Sequence, residues 1–109
     1  MKLIIAIVQD EDAFRLISNL MSEGYGVTKL ATTGGFLRAG NTTLLIGVDE
    51  ERFSGAIEII ERVCKSRNQV ATAPSPNAGT SSLFTPYPVE VVVGGANVFV
   101  LNVEQFIKF

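Results

Sequence analysis

An α+β domain in which apolar strands feed amphipathic helices is the fold this chain predicts, and three observations carry the prediction. Two β-branched apolar runs, Leu3 to Val8 and Leu44 to Val48, are each followed by acidic residues and then by apolar positions at helical spacing. The two halves echo one another, Ile4-Ile5-Ala6-Ile7-Val8-Gln9-Asp10-Glu11 paralleling Leu44-Leu45-Ile46-Gly47-Val48-Asp49-Glu50-Glu51. Each half closes with a further strand, which gives β-α-β-β-α-β, the split βαβ arrangement of ferredoxin-like domains.

The elements run in order. Lys2 to Val8 reads as a buried strand, and Asp10 to Ser22 as a helix with Phe14, Ile17, Leu20 and Met21 on its buried face and acidic residues in its first turn. Gly24 and Gly26 end that helix and release a second strand, Val27 to Thr33. A third strand, Asn41 to Val48, leads into a second helix, Glu50 to Cys64, with Phe53, Ile57, Ile60 and Cys64 facing the core. Lys65 to Pro86 is rich in Ser, Thr, Asn, Gly and Pro and predicts a long flexible loop, about 66–86, before the fourth strand. The closing strands are Val89 to Val93 and Asn97 to Leu101. Val103 to Phe109 then predicts a short C-terminal helix anchored by Phe106 and Phe109, an end suited to an interface.

Composition bounds the function. At 109 residues and 47% apolar, the chain supports one domain, 1–109, with its own core. A net charge of −2 with evenly interspersed signs leaves no basic face for a nucleic-acid polymer. The apolar run at Leu3 is too short for a membrane span and wrongly flanked for a signal peptide, so no membrane insertion is expected. Cys64 is the single cysteine, which points to a reducing compartment, the cytoplasm. The chain has no histidine, the commonest general base and transition-metal ligand, and this weighs against an enzyme, a metal site or a resident cofactor.

Candidate binding chemistry concentrates between Thr28 and Gly47. Gly34 and Gly35 allow a tight turn with backbone N–H groups presented to an anion or base edge, and Phe36 offers a flat apolar face. Thr28, Thr32, Thr33, Asn41, Thr42 and Thr43 line the two arms; threonine is an ordinary strand residue, so Asn41, whose amide can meet an adenine edge bidentately, is the strong signal. A glycine pair that merely connects a hairpin is the plainer alternative. Gly94-Gly95 reads as a hairpin turn or bulge that also leaves room for a ligand, and Phe99 as a core residue or a stacking face. Asp10, Glu11, Asp12, Asp49, Glu50 and Glu51 stand at two helix starts, where capping and dipole interaction explain them better than a metal cluster. Cys64, ending an apolar helical face, reads as an inert core thiol.

Thr28-Lys29-Leu30-Ala31-Thr32-Thr33-Gly34-Gly35-Phe36-Leu37-Arg38-Ala39-Gly40-Asn41-Thr42-Thr43 closely resembles the PII-like cyclic di-AMP receptor proteins of Firmicutes. The likeness takes in Met1 to Asp10, Pro86-Tyr87-Pro88-Val89-Glu90-Val91 and Gly94-Gly95-Ala96, and so spans nearly the whole chain. It implies a non-catalytic ferredoxin-like subunit of a homotrimer, with one cyclic di-AMP in each of three clefts between neighbours. It further implies that Thr28 and Asn41 meet one adenine, that Gly35, Phe36 and Leu37 line its pocket, and that Gly47 sits beside it. Gly94 and Phe99 would approach the phosphates or the second base. Two positions depart from the pattern. Gly26 stands where relatives often carry arginine and cannot supply that side chain's contact. Lys108 stands where they often carry glutamine, and can reach a phosphate as a point charge.

The expected function is therefore a cyclic di-AMP sensor that relays occupancy through its loops to a downstream protein the sequence does not name. The alternative is a PII-type regulator that senses ATP or ADP and binds a transporter or enzyme. The short turn after the second strand and the late long loop disfavour it.

Overall fold

The computed structural model describes residues 1–30, 40–73 and 87–109, with the backbone alone for 71–73 and 87. Strand β1 (Lys2–Gln9) runs into helix α1 (Asp10–Ser22), followed by β2 (Gly26–Leu30), β3 (Asn41–Val48), helix α2 (Glu50–Cys64), β4 (Arg67–Ala73), β5 (Tyr87–Val93) and β6 (Ala96–Asn102). Four strands form one sheet in the order β2-β3-β1-β6, while β4 and β5 pair as a separate two-stranded ribbon. All pairings are antiparallel. Apart from the ribbon, inserted between α2 and the last strand of the sheet, this is the ferredoxin-like βαββαβ arrangement.

Alternation along β1 assigns the two faces of the sheet. Ile4, Ala6 and Val8 are buried and stand opposite Ile46, Leu44 and Thr42 of β3. Directly opposed residues of an antiparallel pair share a face. That face, extended by Val27 of β2 and Val98 of β6, packs under the helices in one core. From α1 the core takes Ala13, Leu16 and Leu20, and from α2 it takes Ala56, Ile59, Ile60, Val63 and Cys64.

Both helices keep the expected bounds, but their buried faces are rotated from expectation. Phe14 and Met21 are exposed, at 81% and 61%, and Ile17, Phe53 and Ile57 lie on the margin of the core. Close packing selected the stripes with small residues, Ala13 and Ala56, over those with the largest side chains. A similar constraint explains a glycine inside α2: a Cβ at Gly55 would overlap the Tyr25 hydroxyl. That hydroxyl donates to Arg52 O at 2.9 Å, and the Arg52 guanidinium lies 4.1 Å from the Tyr25 ring centroid. Helix α1 has no basic residue in its last turn. Arg52 serves there from α2, donating to the carbonyls of Glu23 and Gly24 just beyond the helix end.

The acidic residues at the start of α1 fasten elements together instead of capping the helix, which has no side-chain cap bond. Asp10 accepts a hydrogen bond from the Thr42 hydroxyl, and its N–H donates to Gly40 O at 2.8 Å. Asp12 is buried; its Oδ1 accepts from Arg67 Nη2 at 2.9 Å and lies 3.5 Å from Arg15 Nη2, while Oδ2 has no partner among the described residues. The bond to Asp12 holds the Arg67 guanidinium more firmly protonated than usual. Asp49, which precedes α2, likewise makes no side-chain cap bond.

Three expectations about the second half change. Arg67–Ala73, expected as loop, is a strand, because Tyr87–Val93 pairs with it and not with the sheet; the rest of the expected loop, 74–86, lies outside the described residues. Gly94-Gly95 is not a hairpin turn: it joins strands of two different sheets. Val103–Phe109 forms no helix. Val103 N donates to Met1 O at 3.1 Å, continuing the line of β6 past its end, and Phe106, Ile107 and Phe109 remain exposed, so the apolar anchoring that so short a helix needs is missing. The second strand is described to Leu30, and its expected continuation to Thr33 lies outside the described residues.

Gly94 has φ +82°, and a Cβ there would come within 2.5 Å of Arg67 Nη1 and 2.8 Å of Lys65 O. Gly94→Ala is therefore expected to lower unfolding stability by about 2 kcal/mol or more in urea titrations. Burial, with the negative charge of Asp12, pushes the Cys64 thiol up from 9.0 to about 11. The folded thiol thus keeps a proton that the unfolded one loses, and stability present below pH 9.0 falls as the pH rises towards about 11. Urea midpoints measured across that window should fall in the wild type and fall less steeply in Cys64→Ala.

Candidate functional site

The face of the sheet turned away from the helices carries every expected site residue that lies in the four-stranded sheet. Gln9 pairs with Asn41, Ile7 with Thr43, Ile5 with Leu45 and Leu3 with Gly47, opposite in sense to the buried set. On β2, Gly26 and Thr28 pair with Gly47 and Leu45. On β6, Asn97, Phe99 and Leu101 pair with Ile7, Ile5 and Leu3. The face is apolar in its middle, where Ile5, Ile7 and Leu45 are half-buried, and at its β6 edge Phe99 and Leu101 are 56% and 48% exposed.

The residues do not meet at one point. Thr28, Leu45, Ile5 and Phe99 form one row across four strands, so Thr28 and Phe99 stand at opposite edges, about 14 Å apart at the usual strand spacing. Gly47 is exposed, and a Cβ built there would meet nothing within 4 Å, which leaves bare backbone beside the equally open Gly26. Lys108 is exposed in the C-terminal tail. Gly35, Phe36 and Leu37 lie outside the described residues.

Asn41 and Gly94 do come together. They line one open cavity of about 360 Å³ with Ile7, Gln9, Gly95, Ala96 and Asn97. The position of Asn41 is held from three sides: its neighbours Gly40 and Thr42 are both bonded to Asp10, and its own backbone faces Gln9 in the sheet. The Gly94 corner is seated by two bonds. Gly94 N donates to Gln9 Oε1 at 2.8 Å, and Gly95 N donates to Cys64 O. Gln9 and Asn97 were not singled out from the sequence, because an amide at a strand end has no distinguishing pattern until register places it. Three carboxamides, Gln9, Asn41 and Asn97, thus border one cavity, and each can donate and accept. Such a lining suits a ring edge or a phosphate oxygen, and none of its described residues is charged. Among the described residues no group of His, Cys, Asp and Glu is placed to hold a metal ion, and no helix is long and apolar enough to cross a membrane.

A second cavity, of about 370 Å³, lies between α2 and β6, floored by Ile57, Ile60, Cys64 and Val98. It is apolar and shares none of the expected site residues.

Known proteins bear on these features. A solved structure described as a functionally unknown protein from Pediococcus pentosaceus ATCC 25745 is similar to this chain at 45% sequence identity and a TM-score of 0.78, covering 99% of this chain and 96% of that one. The sequence model of the family described as cyclic-di-AMP receptor matches residues 1–109. With its length matched from end to end, the chain belongs to the cyclic-di-AMP receptor family.

Proposed function

We propose that the protein binds cyclic di-AMP in clefts between neighbouring copies of a homotrimer and relays occupancy through chain movement, without chemistry of its own. The observation that carries this reading is the split placement of the site. Thr28, Asn41 and Gly47 occupy β2 and β3, whereas Phe99 lies on β6 at the far edge of the same face. One cyclic dinucleotide reaches both sets most simply when the β6 edge of one copy lies beside the β2-β3 half of the next. Cyclic symmetry then makes three equal clefts from a single interface. The apolar middle of the open face supplies surface for that association.

Within a cleft, Asn41 meets the edge of one adenine with Thr28 nearby, and Gly35, Phe36 and Leu37 complete that pocket. The bare backbone at Gly47 lets the ligand approach closely. Gly94 and Phe99 serve the phosphates or the second base, and Lys108 supplies a positive charge. The segment 66–86, which begins at the ribbon, passes the signal to a downstream protein. Binding transmits a signal only through differential affinity for two conformations, so the ligand must favour one arrangement of that segment. The buried, unpaired Cys64 suits a reducing compartment, and the cytoplasm is the assigned location.

Titration calorimetry tests the ligand: one cyclic di-AMP per chain is expected, with cyclic di-GMP and ATP much weaker. Asn41→Ala leaves a buried base edge unpaired and is expected to weaken binding by about 1–3 kcal/mol. Light scattering tests the assembly, for which a trimeric mass at micromolar concentration is expected. A monomer that still binds the ligand would contradict the shared cleft.

A further inference from the structure

We propose that Gln9 is a ligand-contacting residue of the cleft and also the side chain that ties the ligand to the base of the β4-β5 ribbon. The inference rests on the reading that this cleft takes cyclic di-AMP. Gln9 is the last residue of β1, half-buried, directly opposite Asn41 and on the wall of the same cavity. Its carboxamide orientation is set by its partner. Gly94 N–H is a donor, so the atom it meets at 2.8 Å must be the carbonyl oxygen, Oε1. The amide nitrogen is thereby turned to the other side, and its two N–H donors find no acceptor among the described residues. An acceptor atom of the nucleotide, a phosphate oxygen or a ring nitrogen, is the partner this leaves room for.

The same side chain reaches beyond the cleft. Gly94 directly follows β5, and the base of the ribbon is held from the other strand by the Arg67 bond to Asp12, three residues after Gln9. An acceptor drawn to Nε2 polarises the carboxamide and strengthens the bond from Oε1 to Gly94, because linked hydrogen bonds reinforce one another. Occupancy of the cavity is in this way communicated to the corner where the chain leaves the ribbon for the sheet.

Two variants of the full chain separate contact from support. Gln9→Glu keeps an acceptor for Gly94 but removes the two donors, whereas Gln9→Ala removes both. Calorimetry with cyclic di-AMP is expected to show at least about tenfold weaker binding in Gln9→Glu, the scale of one lost hydrogen bond plus charge repulsion. Its melting temperature and the amide exchange of Gly94 in the free protein should stay at wild-type values. Gln9→Ala should weaken binding and also speed Gly94 exchange. If Gln9→Glu binds within about twofold of a wild type that itself binds, Gln9 is a support and the proposal is overturned. Absence of wild-type binding overturns it together with the reading on which it rests.

Discussion

The register of β1 is the constraint on which the rest depends. Paired along nearly its whole length by β3 on one side and β6 on the other, it assigns Ile4, Ala6 and Val8 to the core and Leu3, Ile5, Ile7 and Gln9 to the open face. A slip of one residue would turn Ile4, Ala6 and Val8 outward and bring Gln9 inward together with Leu3, Ile5 and Ile7, burying a carboxamide and crowding bulkier side chains into the space that Ala6 fills. Because β3 and β6 take their register from β1, the same hydrophobic preference that builds the core also places Asn41, Gly47 and Phe99 on the far side. Packing under the helices thereby decides the chemistry of a surface the helices never touch.

The junction between β1 and α1 concentrates the polar work. Gln9, Asp10 and Asp12 bond respectively to the Gly94 corner, to the start of β3 and to the first residue of the ribbon. A buried carboxylate paired with arginine contributes little net stability, since desolvation offsets much of the attraction, but losing one partner strands the other. Asp12 therefore sets position more than it adds stability: it makes one placement of Arg67 far better than its alternatives. The ribbon is thus joined to the four-stranded sheet at a few directional contacts.

Helix bounds at Asp10, Ser22, Glu50 and Cys64 were legible in the sequence because acidic starts and glycine or strand stops punctuate them locally. Helix faces were less so, since Phe14 and Met21 advertise burial by size while Ala13 and Ala56 win it by allowing close approach. Strand β4 was hidden for a different reason: Arg67–Ala73 is mostly polar, and its pairing partner begins more than a dozen residues later. For the site, the residue chemistry of Asn41 was readable, and register then placed it on the open face. Neither the distance between Thr28 and Phe99 across the sheet nor the role of Gln9 could be read, because both depend on pairings between strands remote in the chain.

Arg52 answers several needs with one side chain. It reaches back from the first turn of α2 to the carbonyls that succeed α1, lies over the Tyr25 ring, and lends its own carbonyl to the Tyr25 hydroxyl. Tyr25 immediately precedes β2, the strand that bears Thr28. Substitution at this position is consequently costly: lysine cannot fork to two carbonyls, and an apolar replacement loses both bonds and the contact with the Tyr25 ring. The end of α1, the start of α2 and the approach to the strand that bears Thr28 thus share one guanidinium, so a change at this single position is felt by three elements at once.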